Sequence, residues 1–182
     1  VNDIISGLHS LEYRGYDSAG LATITNNQFE YSKNIGKISN LEKNVINNKI
    51  SGNIVIAHTR WATHGKPSIK NSHPFIKQNC ALVHNGIIEN YEDLIVHYSI
   101  NKKNLKSDTD SEVIAEIYNK LLNKFNNPIE AIKNLNKKIL GSFSFAYLVN
   151  GSKSIYITRR GSPLVLGIGD EFNAVSSDVL GL

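Results

Sequence analysis

Two hairpin signals, one near each end of the chain, constrain the fold more than any other feature. Residues 20–25 read as a strand, Asn26-Asn27 as its turn and residues 28–32 as the returning strand. The second signal runs over 143–149, turns at Asn150-Gly151-Ser152 and returns over 154–158. Helical periodicity fills the space between. Across 110–125, Val113, Ile114, Ile117, Leu121 and Leu122 fall on one face, and Thr109-Asp110-Ser111-Glu112 reads as a capping box. Pro128 opens another helix, running to Leu140. Further helices are predicted from Ile4 to Gly15, over 38–46 and over 90–98. Buried strands are predicted over 53–58 and 80–84, with two last strands over 164–168 and 172–176. Hairpins at both ends with helices grouped between them argue for an α+β fold with largely antiparallel sheet. No repeat or linker divides residues 1–182, so one domain is expected.

Composition excludes several classes of function. The net charge is +4, yet the lysines are dispersed among asparagines, as in Lys102-Lys103-Asn104, and no aromatic residues interleave them. Nucleic-acid binding is therefore not expected. No apolar run approaches the roughly 20 residues that cross a bilayer. The single cysteine, Cys80, cannot form an intramolecular disulfide, which suits a cytoplasmic location. The six histidines lack zinc-site spacing, and Asp108 with Asp110 lacks the rest of a calcium loop. No metal or cofactor is expected.

Two strand ends carry the chemistry. Ile54-Val55-Ile56 leads into Ala57-His58-Thr59-Arg60-Trp61-Ala62-Thr63-His64-Gly65. A fixed cation, an indole, two hydroxyls and two imidazoles within a few residues suit a small polar ligand. Arg60 presents a fork that matches a carboxylate, either a ligand's or one of the chain's own. Trp61 suits a packing anchor or a ligand contact, and Thr63 and His64 suit hydrogen bonds to a ligand or within the loop. At the second strand end, Cys80-Ala81-Leu82-Val83 precedes His84-Asn85-Gly86. Asn-Gly after a strand is a hairpin signal, but an Asn amide beside a Gly N–H also makes an oxyanion hole. Asp110 fits a helix cap or an acceptor for a ligand ammonium. A Ser-His-Asp hydrolase built on Ser18 fails for want of the Gly-x-Ser-x-Gly elbow. Cys80 sits in an apolar strand with no base beside it and reads as an inert core thiol.

Taken jointly and in order, these segments resemble one family. Leu11-Glu12-Tyr13-Arg14-Gly15-Tyr16-Asp17-Ser18-Ala19-Gly20, the run from His58 to Gly65, His84-Asn85-Gly86-Ile87-Ile88-Glu89-Asn90, Thr109-Asp110-Ser111-Glu112-Val113, Arg160-Gly161-Ser162-Pro163-Leu164 and Ser177-Asp178 are similar to the glutaminase domain, a class II glutamine amidotransferase, of the glutamine–fructose-6-phosphate aminotransferases. The resemblance implies an N-terminal-nucleophile hydrolase fold, a four-layer α-β-β-α sandwich. It implies that Arg60 holds the carboxylate of L-glutamine and Asp110 its ammonium. Thr63 and His64 would line the same pocket, and Trp61 would stand at the gate to the synthase half. Asn85 and Gly86 would form the oxyanion hole, with Arg14 close to the nucleophile. Ammonia would pass to sugar-isomerase domains of the same parent chain, through which a homo-oligomer is expected, and would convert fructose 6-phosphate to glucosamine 6-phosphate. The family's nucleophile is an N-terminal cysteine, and this chain begins at Val1 and holds no methionine. The expectation is a piece truncated at both ends, without its nucleophile and inactive alone. A different class of reading is a non-catalytic glutamine-binding or scaffold module.

Overall fold

The computed structural model describes residues 1–61 and 66–182. The chain opens on α1 (Asn2–Ser10), which buries Ile5 and Leu8. This helix stops short of the predicted Gly15, and Glu12–Arg14 form a 3-10 turn instead. A reason lies in Glu12, whose carboxylate accepts the Ile38 N–H at 3.1 Å and so serves the first turn of a later helix. The first hairpin follows as β1 (Ser18–Thr25) and β2 (Gln28–Ile35). Asn26 and Asn27 both take positive φ, 52° and 59°, as a two-residue turn matched to strand twist requires. After α2 (Ile38–Asn47), β3 (Val55–Arg60) pairs antiparallel with β1, opposing Arg60 to Ser18. The first sheet has the order β2-β1-β3.

The second sheet begins with β4 (Phe75–Ile76), too short to be legible in the sequence, and β5 (Cys80–Ile88). Next come α3 (Tyr91–His97), α4 (Asp110–Phe125) and α5 (Pro128–Asn136). The second hairpin, β6 (Gly141–Val149) and β7 (Ile155–Arg160), completes the antiparallel order β4-β5-β6-β7. A separate ribbon joins β8 (Val165–Ile168) to β9 (Asn173–Ser176). The helix opened by Pro128 ends before the predicted Leu140. There the Arg160 guanidinium donates to the carbonyls of Asn136 and Ile139, both at 2.8 Å, and satisfies acceptors at and beyond the helix end.

Three apolar clusters show the layering. Ile5, Leu8, Leu21, Ile38 and Leu41 join α1 and α2 to the outer face of the first sheet. Ala22, Ile56, Ala81, Val83 and Leu148 lie between the two sheets. Ile114, Tyr118, Phe143, Phe145 and Tyr147 join the second sheet to α4, with Ala131 and Leu135 of α5 behind them. The order is helices, sheet, sheet, helices, which is the four-layer α-β-β-α sandwich that the resemblance implied. Strand parity follows from it. Along β3, Val55 and Ala57 pack with the outer helices, whereas Ile56, and with it the alternation set of His58 and Arg60, belongs to the face toward the second sheet.

Candidate functional site

Both chemical strand ends extend further as strand than the sequence suggested. β3 continues through Arg60, and β5 continues through Asn85 and Gly86 to Ile88. The hairpin reading of Asn85-Gly86 is therefore wrong. Asn85 opposes Ser144 and Gly86 opposes Phe143 in an unbroken ladder with β6. Gly86 takes a φ of +137°, where L side chains are strained, and an added Cβ would strike the carbonyl of Ser142. Glycine is required here for a positive φ and a close approach to the Ser142 carbonyl inside a strand, not to turn a corner.

Arg60 is 5 % exposed, and its guanidinium lies 3.7 Å from Oδ1 of Asp17. The Arg60 carbonyl accepts the Asp17 N–H at 3.2 Å, and Ser18 Oγ donates to Asp17 Oδ1 at 2.8 Å. The chain thus supplies an acid to hold this cation in place within a buried setting. Gly15 lets the preceding turn run tight against the backbone of Thr59 and Arg60. Trp61 is 59 % exposed and meets Tyr16 edge-on at 5.6 Å, so it is no core anchor. Arg14 donates to Asp178 Oδ2 at 3.2 Å and to the Ser177 carbonyl at 3.3 Å, and Tyr13 donates to the same Asp178 oxygen. Thr63 and His64 lie outside the described residues.

Asp110 opens α4, but its own carboxylate caps nothing in that helix. Oδ2 accepts the Ile88 N–H of β5 at 2.8 Å, and Oδ1 accepts from Ser111 Oγ at 3.2 Å. The capping box forms only in half. Thr109 accepts the Glu112 N–H at 3.4 Å, whereas Glu112 reaches upstream to the N–H groups of Lys106 and Ser107 and to Lys77. Burial raises the Glu112 pKa, but the Ser107 N–H and the Lys77 ammonium outweigh it and hold the carboxyl below its usual range. Helix α4 is thereby tied at its start, and Asp110 with it.

Beneath these residues lie two buried histidines, His73 and His84, and a half-buried one, His58, whose Nδ1 is enclosed; sequence reasoning left all three without a role. His58 and His73 stack at 4.1 Å between ring centroids, and His84 stacks on Phe145 at 4.6 Å. Burial keeps all three uncharged. It pushes His58 down to about 3 and His84 to about 4, and it holds His73 well below the ordinary range. Lys33 is drawn down to about 8 by burial and fastens β2 to the Ser72 carbonyl at 2.7 Å. Cys80 is fully buried, and burial drives its thiol far above the ordinary range, as expected of an inert core cysteine. Among the described residues, no group of three His, Cys, Asp or Glu side chains could hold a metal ion. No described helix is long and apolar enough to cross a membrane.

One open cleft of about 1280 Å³ collects the site: Arg14, Arg60, Trp61, Asn85, Gly86 and Asp110 all line it. Asp17, Ser111 and His84 were missed as its supports. Only the β1–β3 register, which no local pattern encodes, sets Asp17 beside Arg60.

A glutamine amidotransferase domain family matches residues 58–179. The chain is 43 % identical over 180 residues to a glutamine–fructose-6-phosphate aminotransferase (isomerizing) of Acinetobacter baylyi, covering 98 % of this chain and 29 % of that protein. It is 45 % identical over 184 residues to the Francisella tularensis protein of the same name, covering all of this chain and 30 % of the relative. The chain thus spans about a third of the length of these relatives. Among solved structures, a glutamine phosphoribosylpyrophosphate amidotransferase from B. subtilis superposes with a TM-score of 0.84 at 25 % identity, over 99 % of this chain and 40 % of that one. The fold is that of the N-terminal-nucleophile amidotransferases.

Proposed function

This chain belongs to the glutamine amidotransferase domain family, and we propose that residues 1–182 are the glutamine-hydrolysing part of a glutamine–fructose-6-phosphate aminotransferase. The observation that carries the reading is one strand and one helix start held together. Asn85 and Gly86 lie in β5 with a positive φ at Gly86, and the end of the same strand fixes Asp110 through the Ile88 N–H. An amide donor, a backbone donor and a carboxylate thereby share one cleft with the buried Arg60.

In this reading Arg60 grips the substrate α-carboxylate, oriented by Asp17, and Asp110 receives the α-ammonium. Thr63 and His64 are assigned to the same pocket on the family resemblance alone, and Trp61 closes the mouth. The family's cysteine thiolate attacks the side-chain amide carbon. The carbonyl electrons move onto oxygen, and Asn85 with Gly86 stabilises that charge, a role worth about 3–4 kcal/mol per donor. The C–N bond then breaks as the nitrogen takes a proton, ammonia leaves, and water cleaves the thioester to glutamate. Cys80 cannot serve as this nucleophile, being enclosed in the core between β5 and α4. Arg14, braced by Asp178, is assigned to the neighbourhood of the nucleophile. The partners are L-glutamine and the sugar-isomerase domains of the parent chain, where the ammonia would be used on fructose 6-phosphate and through which the parent would assemble as a homo-oligomer.

The test is made on the full-length protein. Glutamate and glucosamine 6-phosphate should form together from glutamine and fructose 6-phosphate. Glutamine binding without any glutamate release would instead favour a non-catalytic glutamine-binding module.

A further inference from the structure

Asp110 is an aspartate with both oxygens engaged by the protein. Oδ2 takes the Ile88 N–H at 2.8 Å and Oδ1 takes the Ser111 hydroxyl at 3.2 Å. Ser111 Oγ in turn lies 2.9 Å from Nδ1 of His84. His84 itself is 4.0 Å from Oδ1, beyond hydrogen-bond reach, so the hydroxyl is the bridge. Both bridging groups are 3 % exposed. The His84 ring is held against Phe145 at 4.6 Å with 28° between planes.

Proton counting sets the direction of this chain. A serine has one proton to give, and it goes to Asp110 Oδ1. The proton between Ser111 and His84 must then come from Nδ1, which fixes the imidazole in the Nδ1–H tautomer. Nε2 is left as an acceptor lone pair, and it has no hydrogen-bond partner among the described residues. We propose that His84 and Ser111 are positioning residues that lock the Asp110 carboxylate in the orientation that receives the substrate ammonium. This rests on the glutamine reading of Asp110 given above.

The charge state of His84 makes the device effective. The titratable groups around it are Asp110, His58 and His73, with Arg60 near the two histidines. Burial keeps His84 uncharged down to about pH 4. A protonated imidazole here would neutralise Asp110 and compete with the ligand's own cation. An uncharged one orients the carboxylate and leaves its charge for the substrate.

The experiment compares glutamine with glutaramate, its analogue lacking the α-amino group, as substrates of the full-length enzyme. Asp110→Asn should collapse the preference for glutamine in kcat/KM. Ser111→Ala and His84→Leu should each narrow that preference about fivefold to tenfold, the net scale of one ordinary hydrogen bond. His84→Asn keeps an N–H donor near the Nδ1 position and should restore most of it. If Asp110→Asn collapses the preference while Ser111→Ala leaves it intact, or lowers both substrates in proportion, the positioning role is wrong. If Asp110→Asn itself leaves the preference unchanged, the ammonium reading falls, and this inference falls with it. Ser111→Ala removes only a hydroxyl, so it decides the matter even where a His84 variant fails to fold.

Discussion

On the β3 wall of the cleft, Arg60 lies in the ladder at 5 % exposure and is steadied by a carboxylate 3.7 Å away. On the β5 wall, Asn85 and Gly86 rely on backbone shape, a φ of +137° within a continuous strand. The first wall holds a permanent charge, and it must solve the problem of burying one. The second holds dipoles, and it must solve the problem of letting a ligand approach the main chain. In the proposed reading, the difference puts them at different stages of a reaction. Charge recognises a substrate that is already charged, whereas aimed dipoles matter most when charge develops.

Kinetics can break that division. The largest effect is expected at the β5 wall. Asn85→Ala in the full-length enzyme should lower glutaminase kcat about a hundredfold or more, with KM for glutamine little changed. A rise in KM alone would move Asn85 to the recognition side. Next in size is Arg60→Lys, which loses the planar fork. KM should rise about tenfold while kcat changes less, because a point charge replaces two directed donors. Unchanged glutamine kinetics would remove Arg60 from its role.

The seam between the walls should respond to acid. His58, His73 and His84 are all depressed by burial, so the unfolded chain binds their protons first. Their contribution to stability is fully present above about pH 6.5 and is lost as pH falls, through about 4 for His84 and about 3 for His58. Urea unfolding between pH 7 and pH 4 should show progressive loss, with uptake approaching one proton per histidine near pH 5. A flat profile would mean that these rings are already solvated. The smallest effect is expected at the far end of β5. Cys80 should resist alkylation in the native protein and react only in denaturant, as mass spectrometry would record.

How much of this was legible in the sequence depended on whether the signal was local. The bounds of α4 and the Asn26-Asn27 turn were readable because periodicity and turn chemistry act over a few residues. The ends of β3 and β5 were not. Polar residues that look like loop in isolation remain in register because a neighbouring strand pairs with them. The same holds for the site. Arg60, Asn85, Gly86 and Asp110 announce themselves by type and order, whereas Asp17, Ser111 and His84 matter only through contacts between distant segments. Glu112 shows the limit clearly: it has the right residue for a reciprocal cap, yet it turns to Lys106, Ser107 and Lys77.

The layer between the sheets carries one more consequence. Ala22, Ala81 and Ala146 meet there with Val83 and Ile56. Arg60 rides on one sheet, and Asn85 with Gly86 rides on the other. The bulk of this layer, Leu148 and Phe29 included, therefore works as a calliper that sets how far Arg60 stands from Asn85 and Gly86, which in the proposed reading is the span from an α-carboxylate to a side-chain amide.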